Sequence, residues 1–593
     1  MEKRALLAAS LSLVVVLAYQ WFFPAPKRPA TIAPAATSQA AASNASATVT
    51  PASPAAAVST AAQAAPGSAP RAALPASVTS DVRQRTVVVE TSTVIASFDN
   101  RGGEITSWRL KHYTDHQGNF VDIVPAGIPP TESRPFEFKA DDPEMTARLN
   151  QGFYRVRANG QDAGDRINVT EPTRVTFEYS DAQGLTVTKM FAFERDGYVL
   201  KFSSEVRDRG NEINPVVLWG PGLGDTTYIV GQKSSGGYVQ HSQAIVYEDG
   251  KVHRLAPKDV ASAPSHQGAF PFAGIDDHYF IAALVQPGVT RVQYAPQQVA
   301  IPGTAQQREL MTWSTLFAKP PRDVRFFIGP KDFDVLEAAD RPLVKSIYFG
   351  IWDFLAVPLL RALKWINGYV GNYGWSIVLL TILINLVLFP LRHKSVVSMR
   401  KMQELQPQIK AIQDRYAKYK TTDPEKSKMN EELMGLYRSR GVNPASGCVP
   451  MVLTMPVLFA FYSLLSVAIE MRGAPFMLWI TDLSVHDPYY VTPIIMAATM
   501  LWQQRMTPVA DPAQAKVMML TPVMFLFFFL WAPSGLVIYW TVSNLLGIGQ
   551  QYATNQIIGR PVVKQVRPPA ERKTKNAGSG ATDSARDKAT QTP

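Results

Sequence analysis

Hydrophobic runs without a charged residue are concentrated in the last third of the chain, separated by polar segments. No Asp, Glu, Lys or Arg occurs between residues 365 and 391, 448 and 469, or 517 and 559. A hydrocarbon core of about 30 Å is crossed by a helix of roughly 20 apolar residues. The pattern therefore predicts five spans, at about residues 374–391, 448–469, 489–504, 517–532 and 535–556.

The first residues, MEKRALLAASLSLVVVLAYQWFF, place Lys3 and Arg4 before an apolar run that ends in aromatic side chains. Such a segment is either a cleaved signal peptide or a retained anchor. Because the apolar run exceeds the roughly 7 to 15 residues of a signal-peptide core, we predict an anchor at residues 1–23 and six spans in all. Residues 24–80, rich in Ala, Pro and Ser, hold little apolar surface and are predicted to be a disordered linker.

Apolar and polar residues alternate between about residues 81 and 335, which is typical of strands with one buried face. The stretch RVTFEYSDAQGLTVTKMFAFERDG contains two such strands, with glycines at the turns. Strands repeat at short intervals, a pattern typical of antiparallel sandwiches. We therefore predict an exported antiparallel β-sandwich, called the β-domain below.

Two further segments have helical patterns. Residues 340–373 mix apolar residues with charged ones such as Arg361 and Lys364, and are predicted to form an amphipathic helix at the outer interface of the membrane. Residues 392–447 carry apolar residues at three- and four-residue steps in two stretches, separated by TDPE, which is typical of a helix start. This predicts a two-helix hairpin, which is either a structural brace or a docking arm for ribosome or substrate.

Basic residues flank the predicted spans and give the chain a formal charge of +11. Residues 392–447 hold 12 Lys or Arg against 6 Asp or Glu, and residues 559–593 hold 8 against 3. An excess of Lys and Arg beside a span marks the cytoplasmic side, and it also attracts anionic lipid or ribosomal RNA. We therefore expect the amino terminus, hairpin and basic tail in the cytoplasm and the β-domain outside.

The chain offers little for catalysis or metal binding. Cys448 is its one cysteine, so it forms no internal disulfide and no cysteine metal cluster. Neither a phosphate-binding glycine loop nor an H-E-x-x-H metal motif occurs. We expect no cofactor, no metal, no catalytic residue and no enzymatic activity.

Uncharged polar residues interrupt the predicted spans. Thr381 and Asn385 are four residues apart and so share one helix face, and similar groups recur in the other spans. An unpaired amide in hydrocarbon costs about 2 to 7 kcal/mol on transfer scales, so each group needs a polar partner or water. Pairwise contacts between helices would meet this need, but the whole set favours a wet cavity. The charge-free spans hold no carboxylate, which counts against an ion-coupled transporter.

Three stretches carry a resemblance to a known family: NPASGCVPMVLTMPVLFAFYSLL, RGAPFMLWITDLSVHDPYY and FFLWAPSGLVIYWTVSNLL. They resemble the membrane core of YidC-type insertases, of the YidC/Oxa/Alb family, in the Gram-negative form with a large periplasmic domain. The resemblance implies a polytopic α-helical membrane protein with six transmembrane helices and a five-helix core, plus a periplasmic all-β supersandwich domain. It also implies a hydrophilic groove open to the cytoplasm and lipid and closed outward.

The resemblance also suggests which residues line that groove. In the family a positively charged residue occupies the position of Asn385, and this chain departs from that pattern. Arg392, seven residues further on, is the candidate for a displaced cation. The other candidates for contact with substrate are Thr381, Thr454, Trp540 and Asn544, and Trp540 matches a tyrosine that approaches Thr381 in many members.

The sequence thus predicts an inner-membrane insertase that inserts and helps to fold nascent transmembrane segments, without nucleotide hydrolysis. Expected partners are nascent membrane proteins, a Sec-type translocon, the ribosome through the hairpin and tail, and anionic lipids, with the protein acting as a monomer. A channel or secondary transporter is the first alternative. A second is a membrane-anchored sugar-modifying enzyme, whose site would use His241, His253, His266, His278, Asp276 and Asp277.

Overall fold

The structure is a computed structural model that describes residues 77–115, 118–125, 129, 132–220, 222–223, 242–262, 264–300, 307–419, 423–441, 449–506 and 512–558. The predicted anchor, the linker up to residue 76 and the basic tail lie outside these residues. The described chain falls into two compact units. Lys410–Gly435 belongs to one, and the other described residues form the second.

The β-domain is built from strands that begin at residue 77. They are β1 Ser77–Thr79, β2 Thr86–Glu90, β3 Val94–Asp99, β4 Glu104–Thr114, β5 Phe120–Asp122, β6 Phe138–Lys139, β7 Arg155–Ala158, β8 Gln161–Asp162, β9 Arg166–Asn168, β10 Thr173–Asp181, β11 Leu185–Phe193, β12 Val199–Asp208, β13 Asn211–Ile213, β14 Val216–Trp219, β15 Gln243–Glu248, β16 Lys251–Leu255, β17 Ser265–Ala269, β18 Phe272–Asp276, β19 Phe280–Val285, β20 Val289–Ala300, β21 Gln307–Phe317 and β22 Val324–Pro330. Since β1 pairs with β10, the predicted linker extends too far by these residues.

Three sheets share one apolar core. The largest has the order β16-β15-β18-β19-β22-β12-β11-β10-β7-β8, with β1 on β10 and β13 on β12. The other two have the orders β17-β20-β21-β14-β6 and β5-β4-β3-β2-β9. The described strand pairs are antiparallel except β2 with β9. The prediction of a β-sheet domain is confirmed to the extent that the domain is mostly β-sheet, while its arrangement as a sandwich stays a prediction. Among its described residues one strand pair is parallel and Pro143–Gln151 forms a helix, α1.

Alternation in the sequence produces the core directly. In β10 and β11 every second residue is buried, and the rings of Phe98, Phe177 and Phe191 from facing sheets lie 4.9 to 5.7 Å apart. Lys189 occupies one of the buried positions. Its Nζ donates to the carbonyls of Gly102 and Phe136, both at 2.7 Å, so the buried ammonium is compensated by hydrogen bonds.

Helices follow the β-domain. They are α2 Phe333–Ala339, α3 Asp353–Val370, α4 Tyr373–Glu404, α5 Gln406–Arg415, α6 Pro424–Ser439, α7 Val449–Val467, α8 Val491–Met506, α9 Pro512–Phe529 and α10 Ser534–Ile558. Each of the five predicted core spans coincides with one of α4 and α7 to α10. The predicted helix at 340–373 is shorter than expected, because residues 341–346 and 350–352 form separate 3-10 turns and α3 begins only at Asp353.

The start of the predicted cytoplasmic hairpin also differs. Helix α4 runs through Pro390 to Glu404, so the first part of the hairpin segment continues the first core helix. In the smaller unit, Arg415 Nη1 lies 3.2 Å from Glu432 Oε2, which joins α5 to α6. Asp423, which accepts a hydrogen bond from the backbone N–H of Glu425, precedes α6, while Thr422 lies outside the described residues.

The surface of the core helices is apolar. Among the described residues, one helical segment, Tyr373–Lys394, is long and apolar enough to span a membrane, with a mean hydropathy of 2.2. Two shorter apolar helical segments are Met455–Val467 and Met519–Phe529. Large side chains such as Leu386 (67% exposed) and Phe528 (66% exposed) point outward from α4 and α9, as expected for contact with lipid. The number of six spans stays a prediction.

Candidate functional site

Helix α4 carries three of the predicted groove residues on one face. Thr381, Asn385 and Arg392 are spaced by four and seven residues, which brings them within about 40° of one another around the helix axis. Thr381 is fully buried and its hydroxyl donates to the carbonyl of Ile377 at 2.6 Å. Asn385 Nδ2 donates to the carbonyl of Thr381 at 2.8 Å. The hydroxyl and the amide N–H₂ thus bond to α4 itself.

The other end of the Asn385 amide meets Arg392. Arg392 Nη1 donates to Asn385 Oδ1 at 2.5 Å, and Asn385 is 8% exposed. Since the side chain of Arg392 reaches back along α4, its guanidinium lies close to the position that the family resemblance assigns to a cation. The amide has both ends engaged, which favours a role in orienting Arg392 over a role in holding water.

Helix α10 packs against α4 and adds a residue that the sequence did not single out. Tyr539 is buried, and its ring stacks on Phe461 of α7 with centroids 4.3 Å apart and planes at 17°. Tyr539 lies on α10, which packs against α4, the helix that carries Arg392. We call Thr381, Asn385, Arg392 and Tyr539 the polar site.

Trp540, the α10 candidate suggested by the resemblance, packs in another direction. Its ring contacts Phe525 and Phe529 of α9, with centroid distances of 5.3 and 5.0 Å. Adjacent residues of a helix point about 100° apart. The orientation of α10 therefore decides whether Tyr539 or Trp540 packs toward α7 and which of them packs on α9. The sequence alone does not determine that orientation.

Asn544 lies on the side of α10 that packs against α8. Its Nδ2 donates to Thr499 Oγ1 of α8 at 3.2 Å, and both side chains are buried. This pair is a hydrogen-bonded contact between two helices, one of the two arrangements that the sequence left open. The structure thus pairs Asn544 with Thr499 and Asn385 with Arg392. Thr454 lies in α7, but its side chain is outside the described residues.

The segment between α7 and α8 bonds to the outer ends of the other helices. Asn372, just before α4, donates from Nδ2 to the carbonyl of Phe476 at 3.1 Å. Ser534, the first residue of α10, donates from its backbone N–H to the carbonyl of Val485 at 2.7 Å. A Cβ added at Gly374 would approach the Phe476 ring to 2.1 Å, so the ring lies directly on the start of α4. These contacts tie the segment between α7 and α8 to the starts of α4 and α10.

Asp487 anchors that segment. Its carboxylate accepts hydrogen bonds from Trp479 Nε1, from the backbone N–H groups of Tyr489 and Thr492, and from the Thr492 hydroxyl, at 2.7 to 3.0 Å. Burial alone would raise the pKa of Asp487, but these donors together lower it. The carboxylate therefore stays ionised and ties the segment to the start of α8.

The residues of the sugar-enzyme alternative do not form one cluster among the described residues. His266 Nδ1 lies 3.0 Å from Glu248 Oε2, and His278 Nε2 lies 2.7 Å from the carbonyl of Ser466. Asp276 is paired with Lys331. His241 lies outside the described residues. No group of three or more metal-ligating side chains occurs in the described part of the chain.

Comparison with known proteins decides the family. A family model described as "YidC periplasmic domain" matches residues 86–362, and one described as "60Kd inner membrane protein" matches residues 365–560. The membrane protein insertase YidC of Geotalea daltonii is 34% identical over 94% of this chain and 99% of its own length. The chain belongs to the YidC family of membrane protein insertases. The resemblance seen in the sequence is confirmed.

A second relative agrees with this assignment. The YidC insertase of Citrifermentans bemidjiense is 37% identical over 94% of this chain and 100% of its own length. A crystal structure of an active YidC insertase with its first transmembrane domain resolved shares 20% identity, with a TM-score of 0.33, over 81% of this chain and 94% of that chain. Membership of the YidC family makes the protein an inner-membrane insertase with a periplasmic domain, which is the β-domain.

Proposed function

We propose that this protein inserts nascent transmembrane segments into the inner membrane through a hydrophilic groove whose cation is Arg392. The supporting observation is the 2.5 Å hydrogen bond from Arg392 Nη1 to Asn385 Oδ1. A guanidinium has five N–H donors, so those left over can bind a carboxylate of the arriving chain. Asn385 orients the cation, and Tyr539 packs beside it.

The energy for insertion comes from the substrate. Each central Leu, Ile, Phe or Val gains about 0.3 to 0.6 kcal/mol on entering the bilayer, so a hydrophobic segment inserts without nucleotide hydrolysis. The barrier is the polar tail, which must cross the apolar layer first. A cation part-way along α4 lowers that barrier for an acidic tail, while the closed outer side prevents an open pore. Substrate then leaves sideways along the exposed apolar faces of α4 and α9.

The proposal includes the partners and topology expected from the sequence. A monomer crosses the membrane six times with its amino terminus in the cytoplasm, and acts alone or beside a Sec-type translocon. The basic tail and the hairpin of α5 and α6 contact the ribosome and anionic lipid. Reporter fusions after residues 23, 370 and 558 test the topology, and co-purification with stalled ribosomes, with and without residues 559–593, tests the contact.

The groove is tested in vesicles that hold the purified full-length protein and a single-span substrate with an acidic tail. R392Q is expected to slow insertion about tenfold, the effect of losing one charge-assisted hydrogen bond of about 1.4 kcal/mol. N385L, which leaves Arg392 unoriented, should slow it less. The matched control is K394Q, which removes the same charge at an exposed position two residues further on.

Four results decide the outcome. The proposal holds if R392Q slows the acidic-tailed substrate and spares one with a neutral tail, while K394Q behaves as wild type. It fails if K394Q and R392Q slow insertion equally, because the effect would then come from general surface charge. Insertion that requires added nucleotide would refute the absence of hydrolysis, and solute flux through vesicles without substrate would favour a channel.

A further inference from the structure

One lysine joins the β-domain to two parts of the membrane core. Lys364 of α3 places Nζ 3.2 Å from Asp332 Oδ1, 2.6 Å from Asp334 Oδ2 and 3.2 Å from Glu470 Oε1. Asp332 caps α2, which ends the β-domain, and Glu470 follows directly after α7. The Glu470 side chain is 5% exposed. Because a buried carboxylate needs a partner, this ion cluster holds three elements in one arrangement.

A second contact holds the same end of α7. His278, in the turn between β18 and β19, has Nε2 2.7 Å from the carbonyl of Ser466. Removal from water and the charge of Lys331 lower the pKa of His278 to about 4, so the ring is neutral near pH 7 and Nε2–H is the donor. Ser466 lies in the last turn of α7, where carbonyls have no partner within the helix. The guanidinium of Arg472 covers the rings of Tyr279 and Phe280 nearby.

Helix α7 connects these contacts to the polar site. Phe461 lies five residues before Ser466, about 7.5 Å along the helix. Its ring stacks on Tyr539 of α10, and α10 packs against α4, the helix that carries Arg392. Trp352, just before α3, stacks on Phe459 at 5.8 Å and 10°, so α7 is also held from the side. A continuous series of packed elements thus runs from the β-domain through α7 and α10 to α4.

We propose that the β-domain is a positioning element for insertion: through Lys364 and His278 it holds α7, and through Phe461 and Tyr539 it holds Arg392 in place. Lys364 and His278 are positioning residues, since neither touches the substrate. The inference rests on the proposed role of Arg392. A β-domain that served only as a tether or a docking surface would have no effect on the polar site.

Coupling between distant residues is established by a double-mutant cycle. The full-length protein in vesicles is compared as wild type, K364M, R392Q and K364M/R392Q, with acidic-tailed and neutral-tailed substrates. K364M is expected to slow the acidic-tailed substrate about threefold, a typical size for coupling between distant sites, and to add nothing once Arg392 is gone. K364R keeps the charge and should restore most of the rate.

Matched controls come from the same helices. Arg361, one turn before Lys364 on α3, lies 3.9 Å from Glu337 of α2, but both side chains are exposed. R361M should therefore insert both substrates at the wild-type rate. At the second contact, H278Q keeps an N–H donor and should be active, whereas H278A removes it and should slow the acidic-tailed substrate. Limited proteolysis of the purified variants shows whether K364M folds. If it does not, H278A replaces it in the test of the positioning role.

The outcomes separate the two proposals. If R392Q slows insertion and K364M slows it by the same factor with or without Arg392, the positioning role is overturned while the groove cation stands. The same holds if folded K364M and H278A both insert at the wild-type rate. If R392Q alone has no effect, the cation fails, and the positioning role fails with it.

Discussion

Arg392 donates a hydrogen bond of 2.5 Å to Asn385, seven residues earlier on the same helix. The positive charge of Arg392 therefore lies beside position 385, where this chain has a neutral amide. An exchange of charge between the two positions follows as a test. N385R/R392Q moves the backbone position that carries the cation about 10 Å along α4 by helical rise. We expect the double variant to insert acidic-tailed substrates several times faster than R392Q alone, because it restores a cation on the same face.

The rates of R392Q and N385R/R392Q in reconstituted vesicles check this exchange. N385Q/R392Q, which adds a longer neutral side chain at the same position, is the control for size. Equal rates for the two double variants would show that charge at position 385 cannot replace Arg392.

The β-domain depends on a buried ion pair between α1 and the last residue of β10. Arg148 Nε and Nη2 lie 2.9 and 3.0 Å from the two oxygens of Asp181, and the side chains are 7% and 0% exposed. R148M leaves a buried carboxylate without its partner, which typically costs about 3 to 5 kcal/mol. Thermal unfolding of the full-length protein, followed by tryptophan fluorescence, should show a clear loss of stability.

Two further variants test whether the loss of stability comes from the buried pair. R155M breaks an exposed pair with Asp162 and should leave the stability close to that of wild type, because solvent screens exposed ion pairs. R148M/D181N removes the charge but keeps an acceptor for the backbone N–H groups of Gln183 and Leu185, so it should recover part of the loss. An R148M protein as stable as R155M would contradict the role of the buried pair.

Asp487 provides a prediction for the outer segment of the core. D487N replaces one acceptor oxygen by a donor that faces other donors, and should destabilise the segment by about 1 to 3 kcal/mol. The pKa of Asp487 is lowered from 3.8, so its stabilising effect is present above that pH and is lost as the pH falls through the folded value. Hydrogen exchange of residues 474–490 at pH 7 should be faster in D487N than in D482N, a change in the same segment that affects only a local turn.

His278 and Asp277, in the turn of the β-domain that contacts α7, should give opposite changes in stability when the pH falls. The pKa of His278 falls from 6.5 to about 4, through burial and the charges of Lys331 and Arg472, so acidification through this window weakens docking. The pKa of Asp277 rises from 3.8 to about 6, chiefly through burial and with Asp276 adding to it, so the same acidification stabilises the turn that carries both residues. Wild type should therefore change little between pH 7 and 5.

Single variants separate the two effects. H278Q should become more protected on acidification and D277N less protected, as measured by hydrogen exchange of the turn at residues 276–280 in the full-length protein. Identical pH profiles for H278Q and D277N would rule out this balance of opposing titrations.

The sequence by itself determined the order of the parts. Charge-free runs predicted the positions of the core helices, alternation predicted the strands, and three stretches of residues carried the resemblance to the family, because each of these signals is contained in a short segment of the chain. The same local signals placed Thr381, Asn385 and Arg392 on one helix face, since their spacing alone sets that face.

Contacts between distant segments were decided only by the tertiary structure. Lys189 sits at an apolar position of β11 because the carbonyls of Gly102 and Phe136 receive its ammonium. The rotation of α10 placed Tyr539 against Phe461 of α7 and Asn544 against Thr499 of α8. The junction at Lys364 joins residues more than a hundred positions apart. Partners of this kind depend on how helices and strands pack, and no local pattern of residues records that packing.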